Sequence, residues 1–215
     1  MRFLLALSAV GMLLSTSLHS AVTIYTDRTA WRNASGGAQL FYVDFNSYTT
    51  DVAGTAPVDV GPLTLTPNGD WANIPLIDSP ENWFENTSVD NTAGVTLYAL
   101  DGVRSLLVNF DSSVGSFGFD LADGFGTRGG FIRRAWITTS AGDSYEFVAH
   151  TGTIGFIGLV STSAFDSVTF TSGDNVRPQM DNFEARAVPE PSAGALLVMG
   201  LGGVMALRRL RRKAD

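Results

Sequence analysis

The chain has no cysteine, two histidines and one lysine. Without cysteine there is no disulfide framework, no thiolate metal site and no cysteine nucleophile. One histidine, His19, falls in an apolar leader, so a Ser-His-Asp triad would depend on His150. No Gly-x-Ser-x-Gly elbow precedes a helical segment, and His150 closes a strand-like segment beside Gly152. His150 therefore reads as a strand-end residue. Charged residues are also scarce, 16% against 45% hydrophobic, which excludes disorder of the chain as a whole. No internal repeat of about 20 to 50 residues is present, so a solenoid is excluded. What remains is one domain, at most two, in 215 residues, rich in Gly, Phe, Thr, Val and Ser.

The two ends are not like the middle. Residues 1–21 read as a secretory signal peptide. Arg2 supplies the positive start, Phe3 to Leu14 the apolar run, and Ser15, Ser17 or Ala21 the small residues for cleavage. At the other end, residues 188–192 read Val188-Pro189-Glu190-Pro191-Ser192. An apolar run follows over 193–207, and then the basic cluster 208–213 with Arg208, Arg209, Arg211, Arg212 and Lys213. At ~1.5 Å per residue the run spans roughly 22 Å, short of a ~30 Å hydrocarbon core. Flanking Ser192 and Leu210 and snorkelling arginine stems extend it, so it reads as a single transmembrane helix. The basic cluster stays cytoplasmic by the positive-inside rule, which places the bulk of the chain outside the cytoplasm. The leader demands the same orientation.

This tripartite tail resembles the PEP-CTERM sorting signal of bacterial exosortase substrates, in the motif Pro189-Glu190-Pro191, the short apolar helix and the arginine-rich end. The resemblance implies recognition and processing of the tail by a membrane-embedded exosortase, and a route from the inner membrane to the cell envelope, surface or medium. The same tail type is also associated with ice-binding proteins. The motif has its own physical logic. Two prolines fix φ, remove backbone donors and push their predecessors into extended geometry. Glu190 is the one charged group in that strap.

Between the signals, residues 22–187 carry eight arginines, no lysine and nineteen carboxylates; eight minus nineteen is −11. That balance argues against a nucleic-acid partner. Short β-rich segments separated by Gly, Asn, Asp and Pro predict strands at 22–26, 40–45, 63–66, 95–100, 103–110, 114–121, 131–139, 144–149, 154–160, 165–170 and 180–187. One helix is predicted over 27–34, capped by Asp27, with Ala30, Trp31 and Ala34 on one face. Residues 46–62 and 73–92 read as loops. Phe117, Phe119 and Leu121 point to one side of their strand. The fold class is all-β, an antiparallel sandwich or jelly roll. The Thr26–Trp31, Phe117–Asp120 and Met180–Phe183 segments are similar to the β-sandwich ectodomains common in PEP-CTERM proteins.

Chemistry has few candidates. Glu81 and Glu85 would share a helical face, with Trp83 between them and Trp71 nearby, a pattern suggestive of sugar contact. Asp120 and Asp123, followed by Gly124, offer oxygen ligands for calcium; no other cofactor is implied. The expectation is an exported, envelope-sorted surface or matrix protein. Its ectodomain is non-enzymatic and adhesive, with exosortase, the membrane and polysaccharide as partners. A secreted carbohydrate-binding module or glycoside-active enzyme is the alternative. Ice binding ranks third, because Thr64 and Thr66 make only a fragment of the threonine face it needs.

Overall fold

The computed structural model describes residues 22–54, 56–69, 75–78, 93–96, 105–123, 133–149, 154–172 and 178–188. The leader 1–21 and the tail from Pro189 onward lie outside them, as do Trp71, Glu81, Trp83, Glu85 and His150. Among the described residues no helix is long and apolar enough to cross a membrane.

Antiparallel pairing dominates. In chain order the elements are β1 (Val22–Tyr25), α1 (Arg28–Ser35), β2 (Gln39–Val43), β3 (Val52–Ala53), β4 (Val58–Val60), β5 (Leu63–Asn68), β6 (Pro75–Asp78), β7 (Gly94–Thr96), β8 (Ser105–Asp123), β9 (Arg133–Thr139), β10 (Ser144–Ala149), β11 (Ile154–Ser172) and β12 (Pro178–Arg186). The main path through the sheet runs β10-β9-β11-β8-β12-β7-β6-β3, with β1 on β11, β2 on β12, and β5 between β4 and β8.

Two strands of 19 residues, β8 and β11, form the spine. Each was expected as two strands. The sequence falters at Asp111-Ser112-Ser113 and at Ser161 to Ala164, and there the register between them shifts, at Val160/Phe165 and Phe165/Ser167. Such irregularities bend a strand without ending it. One half of the spine pairs Ser116–Ala122 with Ile154–Val160 and carries β1, β12 and β2. The other pairs Ser105–Asn109 with Ser167–Thr171 and carries β5, β4, β9 and β10.

The inner faces of the two halves meet in a phenylalanine-rich core. Phe117 and Phe119 from the first half are fully buried, as are Phe170 and Val168 from the second. Phe119 meets Phe170 edge-on at 5.1 Å between centroids, and Phe183 of β12 meets Phe117 at 5.3 Å. These are favourable aromatic geometries, each adding to simple area burial. The alternation read at 117, 119 and 121 is thus the core face.

Helix α1 begins as expected. The Asp27 side chain accepts a hydrogen bond from the Ala30 N–H at 2.7 Å, and Gly36 closes the helix in the left-handed region. Its buried face differs from the expectation. Trp31 and Ser35, one turn apart, are buried, whereas Ala30 and Ala34 are exposed. The two segments read as loops also hold short strands: β3 and β4 within 46–62, and β6 within 73–92. Two- to four-residue strands give too little periodicity to be read from sequence.

Candidate functional site

The outer faces of the two halves differ. On the first half, Gly118 and Gly158 sit opposite each other across β8 and β11. Without side chains they leave a trough, and the indole of Trp31 lies in it; a Cβ at Gly158 would collide with that ring. Trp31 Nε1 donates to the Leu159 carbonyl at 3.0 Å, so the polar end of the buried indole is satisfied. Phe156 packs beside it at 5.4 Å.

Next to this seat lies an ionic lock. Glu184 is fully buried and accepts from three arginines. Arg32 Nη2 lies 2.6 Å and Arg28 Nη1 3.1 Å from Oε2, and Arg186 Nη1 lies 3.2 Å from Oε1. Burial alone would raise the Glu184 pKa. The hydrogen bond and charge of Arg32, with Arg28 behind it, outweigh burial and hold the carboxyl below the usual glutamate range. Arg28 also pairs with Asp120 Oδ2 at 3.0 Å and lies 4.5 Å over the Phe156 ring. A bulge in β12 between Asp181 and Glu184 turns Asn182 to φ 54°. From there its Nδ2 donates to Asp120 at 3.0 Å and its backbone carbonyl accepts from Arg28. The Tyr42 hydroxyl donates to Asn182 Oδ1, and burial pushes the Tyr42 pKa up.

This lock joins α1, β8, β12 and β2, and its charges are spent on one another. An anion held ionised by guanidiniums is a poor proton donor. Asp120, the sequence-based calcium candidate, is occupied by Arg28 and Asn182, so a dication would have to displace a guanidinium. The side chain of Asp123 is outside the described residues, among which no group of three or more candidate metal ligands occurs.

The outer face of the second half is of another kind. Side chains alternate, so every other residue of β5, β8, β11, β9 and β10 faces outward. Register places Thr66, Leu107, Thr169, Thr138 and Ser144 in one row across five strands. The next row is Asn68, Ser105, Thr171, Trp136 and Glu146. A third is Asp59, Thr64, Asn109 and Ser167. The central residues of these rows are all partly exposed. Four strand intervals of ~4.8 Å give a platform roughly 19 Å across. Helix α1 lies on the other half.

The platform is built mainly from hydroxyls and amides, with Leu107 and the Trp136 indole as its apolar members. Charge is confined to its ends: Asp59, which accepts from Thr64 Oγ1 at 2.8 Å, and Glu146, paired with Arg134 at 2.9 Å. Thr138 Oγ1 and Ser144 Oγ share a hydrogen bond of 3.0 Å. Sequence reasoning favoured Trp71 and Trp83 as ligand-facing rings and passed over Trp136. The signal was present in the alternation Ala135, Trp136, Ile137, Thr138, Thr139. Ala135 and Ile137 are buried, and Trp136 and Thr138 are their outward counterparts.

No protein-family model and no curated protein matches the chain. Among solved structures it is similar to a family 29 carbohydrate-binding module, CBM29-2, complexed with mannohexaose. That match has 12% identity over 78% of this chain and 92% of that one, with a TM-score of 0.30. It is also similar to a rhamnosidase from Klebsiella oxytoca with rhamnose bound, at 11% identity over 77% of this chain and 33% of that one, with a TM-score of 0.32.

Proposed function

We propose that this is an exported, envelope-sorted surface or matrix protein whose β-sandwich ectodomain, of jelly-roll type, binds polysaccharide without catalysis. The observation that carries the binding role is the hydroxyl and amide platform beside Trp136, its charge limited to Asp59 and the Arg134–Glu146 pair at its margins, in an ectodomain of charge near −11. Sugars offer hydroxyls that pair with Thr, Ser and Asn side chains, and apolar ring faces that stack on an indole. With charge confined to its margins, the middle of this surface presents hydroxyls and amides to a neutral polymer. Trp71 and Trp83, with Glu81 and Glu85, extend the same chemistry as further candidate sugar contacts. The non-enzymatic reading rests on the sequence, which has no cysteine nucleophile, no Gly-x-Ser-x-Gly elbow and, outside the leader, His150 as its one histidine.

Export and sorting rest on the two ends. The tail 188–213 is handed to exosortase through Val188, Pro189, Glu190 and Pro191, with 193–207 in the membrane and the basic cluster on its cytoplasmic side. Replacing Pro189, Glu190 and Pro191 by alanine should leave the protein unprocessed in the membrane fraction of an exosortase-carrying cell. Unchanged processing and location would refute the sorting role. Ice binding is favoured by Thr64, Thr66, Thr138, Thr169 and Thr171 on one face. Leu107, Asn109 and Trp136 interrupt those threonines, so the regular lattice that ice needs is missing, and thermal hysteresis should be absent.

A further inference from the structure

The large hydrophobic side chains that stand exposed among the described residues are Leu40, Tyr42 and Val188, and they share one edge. Leu40 and Tyr42 alternate on the same side of β2. Tyr42 sits opposite Glu184, and Phe41 opposite Ala185. The two chains stay together beyond the strands, because the Ala187 N–H donates to the Ala38 carbonyl at 2.9 Å. Val188 then crosses Gly115, where a Cβ would come within 2.6 Å of the Val188 Cα. A side chain at Gly37 would likewise collide with the Ala187 backbone. Arg186 Nε donates to the Gly37 carbonyl at 3.0 Å and fastens the same point. The three exposed apolar side chains therefore flank the β2–β12 pair near Val188, the last described residue before the tail.

From this we infer that the β2–β12 edge, through Leu40, Tyr42 and Val188, rests on the membrane surface while the tail is anchored. The inference depends on reading residues 193–207 as a membrane span. Only five Cα steps separate Val188 from Ala193. At no more than ~3.6 Å each they reach at most about 18 Å. The headgroup layer on one side of a bilayer takes up roughly 6 Å of that. A body of this size is about 40 Å across, so the tether is short against the domain it holds. The edge beside the exit has to face the lipid. Its chemistry fits that position. A tyrosine with a polar tip and arginine stems are the side chains that settle at headgroup depth. Arg32, beside Tyr42, has 44% of its side chain exposed. The acidic remainder of the ectodomain is held off the surface, and the platform around Trp136 is left for a second ligand.

The absence of cysteine makes the test direct. Full-length protein carrying Leu40→Cys, Val188→Cys or Ala141→Cys would be labelled with an environment-sensitive fluorophore. Each would be reconstituted into phosphatidylcholine vesicles containing a lipid with a nitroxide headgroup. Ala141 lies in the exposed turn between β9 and β10, on the other half but at the same end of the fold, and serves as the reference that an undocked, tumbling domain would bring equally near the lipid. Flotation reports anchoring, and quenching reports contact. The protein should float with the vesicles, and the labels at positions 40 and 188 should be quenched severalfold more than the label at 141. Flotation with equal quenching at positions 40 and 141, whatever the label at 188 shows, would overturn the docked edge and leave the anchor standing. Failure to float would overturn the anchor reading and the docked edge with it. If Leu40→Cys does not fold, Tyr42→Cys on the same side of β2 reads the same contact.

Discussion

Glu184 shows how much of this protein depends on a single carboxylate. It is fully buried, and Arg28, Arg32 and Arg186 surround it. Its folded pKa is depressed, so its contribution is complete above the unfolded value, ordinarily ~4.3. That contribution is lost as pH falls through the folded value. Stability measured by denaturant melts should therefore be flat near neutrality and fall as pH drops below roughly 4. A Glu184→Gln variant should show a smaller acid-side fall and be weaker at neutral pH by about 3–5 kcal/mol, because three guanidiniums lose their counter-charge. Asp120→Asn should lower the melting temperature equally with calcium or chelator, since it breaks the Arg28 pair. A loss seen only with calcium would restore the metal reading of Asp120. None of these partners could be paired from sequence: Arg28 and Glu184 are 156 residues apart. The β12 bulge that aims Asn182 at Asp120 has no local sequence pattern beyond an asparagine that tolerates positive φ.

At the scale of elements, the seat of α1 decides whether the outer face of the first half is closed. Trp31 lies over Gly118 and Gly158, and the small size of both glycines is required by that close approach. Gly158→Ala should destabilise by about 1–3 kcal/mol through overpacking, and Trp31→Ala by about 3–5 kcal/mol through the cavity it leaves. Urea melts of the two variants check both numbers; a neutral Gly158→Ala would mean that the indole is free to move. Much of this level was legible. Asp27 announced the helix start, and the alternation at 117, 119 and 121 announced the core face. The helix face was misjudged because Ala30 and Ala34 look apolar, yet the sheet beneath selects Trp31 and Ser35. The spine strands were split in reading because Ser-rich stretches imitate turns, whereas in the fold they bend one continuous strand.

At the scale of the whole molecule, three surfaces divide the work. One half of the sheet is closed by α1 and its arginines, the β2 edge exposes Leu40 and Tyr42, and the other half opens a platform of hydroxyls and amides with charge at its margins. The two ends were read as motifs because leader and tail signals are linear patterns of residues, and both lie outside the described residues. The platform was not, because its rows come from β5, β8, β9, β10 and β11 and exist only once register is set. The reading of Trp71 and Trp83 followed local composition; alternation alone turns Trp136 outward, but its place between Thr171 and Glu146 exists only once the strands are paired.

The most direct test of the central claim is a pull-down of the purified full-length protein in detergent on insoluble cellulose, xylan, mannan and agarose. The unmodified chain is expected to be retained on at least one neutral polysaccharide. Trp136→Ala, with an unchanged melting temperature, is expected to lose at least tenfold in affinity, the ~1.4 kcal/mol or more that a stacked ring contributes. Thr169→Glu, which sets a charge in the middle of the platform, should lose binding as well. Retention by none of the four polymers, or equal retention of the unmodified chain and Trp136→Ala, would contradict the platform as the binding site.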